Sequence, residues 1–131
     1  MRTQEFIEKY QGVQPDNTKW CSSVMLSTNG NFYSYGLHYP LLFRFGSYWL
    51  VNTSGYSVTT SKHIGWARDC ADFEVKLNGS DLSAENILKS LEDELVELDK
   101  AMAKGQKGSR AYEIREDRFN EVRSTIQAIR G

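Results

Sequence analysis

The sequence predicts an α+β fold: an antiparallel β-meander of about four to five strands, with a short N-terminal helix and a C-terminal antiparallel helical hairpin. Three observations predict it. Twelve of the sixteen aromatic residues lie between Trp20 and Phe73, a density typical of a sheet. Short turns rich in Gly and Asn divide that stretch. Apolar residues then recur at steps of three and four through residues 80–131, which is typical of paired helices.

The N-terminal helix is predicted from Phe6, Ile7 and Tyr10, whose spacing places them on one helical face. Thr3 is a candidate N-cap and Gly12 a natural end. A helix this short is marginal in water, so it must pack on the sheet to persist.

The strands are predicted from the turns between them. Asn29-Gly30-Asn31 indicates a hairpin joining strands 24–26 and 32–35, and Gly46-Ser47 indicates a type II′ turn joining strands 41–45 and 48–52. Because these connections are short, neighbouring strands must be antiparallel. After a hydroxyl-capped helix containing Ile64, Trp66 and Ala67, apolar and polar residues alternate over 73–77 and predict a fifth strand.

The helical hairpin has the clearest pattern. Ser83 or Ser80 caps its first helix, and Ser109 caps the second after a break at 105–108. No linker separates the helix-plus-sheet module, residues 1–79, from the hairpin, residues 80–131, so we expect one domain over 1–131. The first helix carries the apolar residues Leu88, Leu91, Leu95, Leu98 and Met102, and the second carries Tyr112, Phe119, Val122, Ile126 and Ile129, with Arg115 interrupting the series.

Composition narrows the function classes. A net charge of −1 and a pI near 6.1 give no overall attraction to nucleic acid or to anionic membrane. Without a signal-peptide or membrane-spanning apolar run, we expect the protein in the cytosol of the cell that makes it. Cys21 and Cys70 form no Cys-x-x-Cys motif, so we expect reduced thiols.

An enzymatic role is the less favoured prediction, and the residues alone do not decide whether the chain is an enzyme. His38 and His63, the only histidines, could divide acid and base work on a phosphodiester, with Lys62 or Arg44 stabilising charge. The alternative is that each ring is a half-buried aromatic. The chain has no nucleophile or phosphate-loop motif and no histidine or cysteine ligand pair at metal spacing, so we predict no cofactor and no metal.

Two surfaces could bind a partner instead. Tyrosines and tryptophans of the sheet that stay near the surface can anchor an interface or stack on bases, although they can equally fill the space between sheet and helices. The hydroxyl-rich run 56–61 stands at a strand-to-helix junction, where backbone N–H groups attract anions, although N-capping is the commoner use.

Three segments in the middle of the chain carry a family resemblance. Tyr33-Ser34-Tyr35-Gly36-Leu37-His38-Tyr39-Pro40-Leu41, Val51-Asn52 and Tyr56-Ser57-Val58-Thr59-Thr60-Ser61-Lys62-His63 are similar to a group of small proteins of tailed bacteriophages and prophages that carry an uncharacterised domain. The similarity covers residues 33–63 and not the hairpin. It implies a viral accessory protein in the infected bacterium, where proteins of this size often inhibit host defence by stoichiometric binding. It supplies no catalytic residues.

The leading hypothesis is therefore a non-enzymatic inhibitor that binds a host protein or a nucleotide-type ligand. One alternative is an enzyme of phosphodiester or nucleotide chemistry that uses the two histidines. Another is an oligomeric structural or nucleic-acid-binding phage protein, with a homodimer formed through the hairpin. The predicted binding surface consists of Tyr35, His38, Asn52, Tyr56, Thr59, Thr60 and His63.

Overall fold

A computed structural model describes residues 1–54 and 58–131 of the chain. The helices are α1 (Thr3–Tyr10), α2 (Val58–Arg68), α3 (Ala84–Lys104) and α4 (Arg110–Arg130). The strands are β1 (Lys19–Cys21), β2 (Val24–Leu26), β3 (Phe32–Ser34), β4 (Pro40–Phe45), β5 (Tyr48–Asn52) and β6 (Phe73–Val75).

The six strands form one sheet in chain order, β1-β2-β3-β4-β5-β6. Strands β1 to β5 pair antiparallel, as their short connections require. Gly46 has a φ of 61°, as the first position of the predicted type II′ turn between β4 and β5 needs. The α+β class, the N-terminal helix and the C-terminal hairpin are confirmed.

The sheet differs from the prediction at both edges. The first strand, β1, was not predicted. Its three residues show no alternation of apolar and polar side chains, so the sequence does not distinguish them from a loop. The last strand, β6, pairs parallel with β5, so the sheet is mixed. Residues 53–72 separate these two strands and include α2, which provides the crossover that a parallel pair needs.

The sheet buries both of its faces. Alternate residues of β4 and β5 divide between two cores: the pair Leu42 and Val51 packs with α1 and α2, and the pair Phe43 and Leu50 packs with the hairpin. Helices α1 and α2 contact each other, and α2 also contacts β4 and β5. The site described below lies on the α2 face.

Local capping explains how the hairpin helices begin. The hydroxyl of Ser83 accepts a hydrogen bond from the backbone of Asn86, and that of Ser109 accepts one from Tyr112, so both predicted caps are confirmed. The predicted cap at Thr3 is wrong: α1 begins at Thr3, and Arg2 occupies the cap position without a side-chain hydrogen bond.

One arginine fastens the hairpin to the sheet. Arg118 of α4 donates Nε to one oxygen of Glu94 at 2.8 Å and Nη2 to the other at 2.9 Å, and Nη2 also reaches the carbonyl of Glu74 in β6 at 3.2 Å. Burial by itself lowers the pKa of Arg118, but the hydrogen bonds and charge of Glu94, with Glu121 and Glu74, raise it overall. Across the described ranges, no helix combines the length and apolar character needed to span a bilayer.

Candidate functional site

The turn Tyr35–His38 connects β3 to β4 and is pinned at its base by backbone hydrogen bonds. Ser34 N donates to Tyr39 O at 3.0 Å, and Tyr39 N donates to Gly36 O at 3.2 Å. Tyr35 N donates to Ser23 O at 2.8 Å, which ties the turn to the start of β2. These hydrogen bonds fix the backbone on both sides of the turn. The positions from which its side chains project are therefore fixed as well.

Tyr35 has an unusual backbone conformation. Its φ is 64°, in the left-handed region that costs a residue with a Cβ roughly 1–2 kcal/mol. Such strain persists only where surrounding structure imposes it, and it concentrates at functional positions. The side chain is 49% exposed, and Leu37, two residues on, is 62% exposed. The turn therefore presents one aromatic and one aliphatic side chain at the surface.

His38 is exposed beside Gly36. A Cβ built on Gly36 would lie 3.7 Å from both Cε1 and Nδ1 of the imidazole, so the ring packs over this glycine. Gly36 itself has a φ of 133°, which residues with a side chain rarely adopt. Tyr35 and Gly36 thus both adopt positive φ values and together reverse the chain.

His63 packs against the turn from the interior of the protein. It belongs to α2, is 3% exposed, and its Nδ1 lies 2.7 Å from Oγ of the buried Ser34. Its ring centroid is 5.7 Å from that of Tyr35 and 5.7 Å from that of Trp66, so the three form an aromatic row, Tyr35–His63–Trp66. Burial lowers the pKa of His63 and favours the neutral ring.

Asn52 is buried and does not contribute to the predicted surface. Its Nδ2 donates to Pro40 O at 3.0 Å, and its Oδ1 accepts from Ser54 N at 3.1 Å and from Leu77 N at 3.2 Å. One amide therefore satisfies three backbone groups where β4, β5 and the segment after β6 meet. Asn52 is a structural residue, because backbone groups left unpaired in the interior are costly.

Of the remaining predicted residues, Thr59 and Thr60 belong to the first turn of α2. Thr60 is buried. Tyr56 lies outside the described residues, as does the side chain of Thr59, so the predicted anion site over 56–61 is only partly described. The structure thus brings Tyr35 and His63 into contact, places His38 in the same turn as Tyr35, and buries Asn52 and Thr60.

Sequence reasoning missed two contributors, Ser34 and Leu37. Ser34 belongs to a strand whose other residues are apolar, and a polar side chain at a buried strand position needs a partner. That need could have suggested its bond with a residue of α2. Leu37 gave no signal, because an apolar residue in a turn is indistinguishable in sequence from one that folds inward.

The two imidazoles have different environments. His38 faces solvent, whereas His63 is enclosed by Ser34, Tyr35 and Trp66. Lys62 is exposed, and Arg44 donates Nε to Gly46 O at 3.0 Å in the β4–β5 turn. In the described part of the chain, no group of three or more His, Cys, Asp or Glu residues is placed to hold a metal ion.

The site is a projecting turn, and a cavity of about 560 Å³ lies elsewhere, between the segment after β6 and α3. Two pairs of its polar side chains contact each other: Lys76 with Glu97 at 3.6 Å, and Asn78 with Asp93 at 2.9 Å. Its lysine therefore already has an acidic partner within the protein.

No protein-family model matches the chain, and searches of curated proteins and of solved structures find no match. The resemblance to bacteriophage proteins therefore stays a prediction.

Proposed function

We propose that this chain is a small non-enzymatic accessory protein, of the kind that bacteriophages encode, which inhibits a factor of the infected bacterium by binding it. The contact surface is the turn Tyr35–His38. The observation that carries this proposal is the exposed ring of Tyr35 on a left-handed backbone, held by the buried His63. The viral setting rests on the resemblance of residues 33–63.

The turn has the properties of a binding surface. Tyrosine is enriched among the residues that dominate interface energies, because it has a large ring and few rotatable bonds. The hydrogen bonds at the base of the turn and the ring of His63 order Tyr35 before a partner arrives. Ordering in advance reduces the entropy lost on association.

Catalysis by the two histidines has less support. An acid–base pair needs both imidazoles within hydrogen-bond reach of one substrate. His63 is enclosed, and its Nδ1 is engaged by Ser34, so a substrate would have to displace Tyr35 to reach the ring. Ser34 is buried as well, which argues against a Ser–His nucleophile at this position.

A tagged copy expressed in bacteria tests the proposal. We expect the wild-type protein to recover a partner in a fixed molar ratio, and Tyr35→Gly and Leu37→Ser to lose it. Glycine suits the left-handed backbone, so Tyr35→Gly removes the ring without adding strain. The matched control is Ile114→Ser, which removes an exposed apolar side chain from the hairpin. Recovery of the same partner by Tyr35→Gly would disprove the assignment of this turn.

Self-association through the hairpin is a second candidate, favoured by the exposed Val96 and Ile114 on its two helices. A homodimer that buries these side chains would show twice the monomer mass by light scattering, and Val96→Ser with Ile114→Ser would reduce it to the monomer. A monomeric mass for the wild-type protein at micromolar concentration would end this candidate.

A further inference from the structure

A cavity of about 440 Å³ lies at the loop end of the hairpin. The end of α3 contributes Lys100, Ala101, Lys104 and Gly105 to its lining, and α4 contributes Arg115. Three of these five residues are cations and none is a carboxylate. We call this group of residues the hairpin-end cavity.

Arg115 occupies an unusual position in α4. It interrupts the apolar series between Tyr112 and Phe119, and its side chain is half-buried against α3. A Cβ built on Gly105 would lie 3.8 Å from Nη1 of Arg115, so the guanidinium group extends across to the end of α3.

The cations of this cavity lack counter-charges within the described protein. No described carboxylate lies within ion-pair distance of Arg115, Lys100 or Lys104. Two other arginines of the same helix are paired, Arg118 with Glu94 and Arg130 with Glu92, whereas Arg123 is exposed and lies over the ring of Phe119. Arg115 differs from Arg123 because it is half-buried, so the absence of an acidic partner matters more for its charge.

The helix dipoles do not neutralise this charge. The carbonyl end of α3 carries about half a negative charge and the N–H end of α4 about half a positive charge. The guanidinium group of Arg115 lies beside Gly105 at the carbonyl end of α3, so this half charge offsets only part of the three positive charges. Three side-chain charges remain around the cavity, and a half-buried cation without a partner is stabilised by a bound anion.

We propose that the hairpin-end cavity binds an oligophosphate anion, such as the phosphate chain of a nucleotide. A planar guanidinium group binds two phosphate oxygens at once, and lysine ammonium groups add point charges on either side. The volume lies within the range of small-ligand sites, roughly 300–1,000 Å³. This proposal does not rest on the proposed function, because the cavity is formed by the hairpin and the partner-binding turn by β3 and β4.

Titration with inorganic pyrophosphate at constant ionic strength, followed by the backbone amide resonances of residues 105–110, tests the site. The variants are Arg115→Gln and Lys104→Gln. The matched control is Arg123→Gln, which removes the same charge from the same helix, where Arg123 is exposed and lies over the ring of Phe119. Thermal unfolding of each variant confirms that it folds.

We expect saturable shifts in the wild-type protein, a loss of affinity of about tenfold or more in Arg115→Gln, and a change of less than about twofold in Arg123→Gln. A parallel titration identifies the source of the phosphate. Tighter binding of adenosine triphosphate than of tripolyphosphate indicates a nucleotide, and equal binding indicates the phosphate chain alone. The proposal is overturned if pyrophosphate causes no saturable shift, if Arg123→Gln weakens binding as much as Arg115→Gln, or if sulfate binds equally well.

Discussion

The Oγ atom of Ser34 and the Nδ1 atom of His63 lie 2.7 Å apart, and this hydrogen bond joins the end of β3 to helix α2 directly beside the turn Tyr35–His38. It fixes the plane of the imidazole. The buried imidazole contacts the ring of Tyr35, with the two ring centroids 5.7 Å apart. A buried polar pair thus determines how an exposed aromatic residue is presented.

The first prediction is that the stability of the folded protein depends on pH through His63. Burial lowers the pKa of His63 in the folded protein, whereas the unfolded chain takes up the proton near its ordinary value of about 6.5. The unfolded state therefore binds more protons as the pH falls below that value, and the folded state loses stability. We expect the free energy of unfolding of the wild-type protein to decrease from about pH 7 to about pH 5.

Urea unfolding at several pH values measures this effect. His63→Asn keeps a polar group near Ser34 but removes the titrating ring, so its unfolding free energy should change less with pH over the same interval. Identical pH profiles for the two proteins would contradict the role given to His63.

The second prediction concerns the backbone of Tyr35. Glycine adopts a φ of 64° freely, whereas alanine pays the Cβ penalty, so Tyr35→Gly should be more stable than Tyr35→Ala by about 1 kcal/mol. Both variants lose the ring equally, and the comparison therefore isolates the backbone. Chemical denaturation gives the difference. An alanine variant as stable as the glycine variant would show that the left-handed conformation is not imposed on this residue.

The third prediction concerns Asn52. Asn52→Ala leaves three backbone groups, of Pro40, Ser54 and Leu77, without their side-chain partner, and should destabilise the fold by about 3 kcal/mol. Asn52→Asp should also destabilise it, because a carboxylate cannot donate to Pro40 O. The control, Asn17→Ala, changes an exposed asparagine and should cost less than about 0.5 kcal/mol. A near-zero effect at Asn52, measured by denaturation, would contradict its structural role.

The fourth prediction compares two ion pairs of the hairpin. Arg118 and Glu94 are largely enclosed and doubly hydrogen-bonded, so a double-mutant cycle with Arg118→Met and Glu94→Gln should give a coupling of about 2 kcal/mol. Arg130 and Glu92 are exposed, and the equivalent cycle should give less than about 1 kcal/mol. Equal couplings would mean that partial burial and the second hydrogen bond add nothing to the pair of Arg118 and Glu94.

Much of the fold could be predicted from residues that lie close together in the sequence. Turn chemistry at Asn29-Gly30-Asn31 and Gly46-Ser47 placed β2 to β5, and the hydroxyls of Ser83 and Ser109 placed the starts of α3 and α4. These features depend on residues close in sequence. Strand β1 and the parallel pairing of β6 depend on tertiary packing, and the sequence did not indicate them.

The candidate site was less predictable for the same reason. The motif drew attention to Tyr35, His38 and His63, but not to the packing of one ring on another or to the burial of Asn52. A positive φ at Tyr35 runs against the ordinary preference of a bulky residue, so no propensity argument could have found it. Sequence patterns identify which residues are unusual, and only the tertiary structure assigns them to surface or core.

Site-specific photo-crosslinking shows whether the turn Tyr35–His38 touches a partner in bacterial cells. A photoreactive amino acid is placed at Leu37 in the turn and, in a separate protein, at Val96 on the hairpin, two exposed positions in different parts of the fold. After irradiation in bacterial cells, we expect a discrete crosslinked partner from position 37, none from position 96, and loss of the position-37 product when Tyr35→Gly is added. A partner that crosslinks from position 96 and not from position 37 would contradict the assignment of the turn as the binding surface.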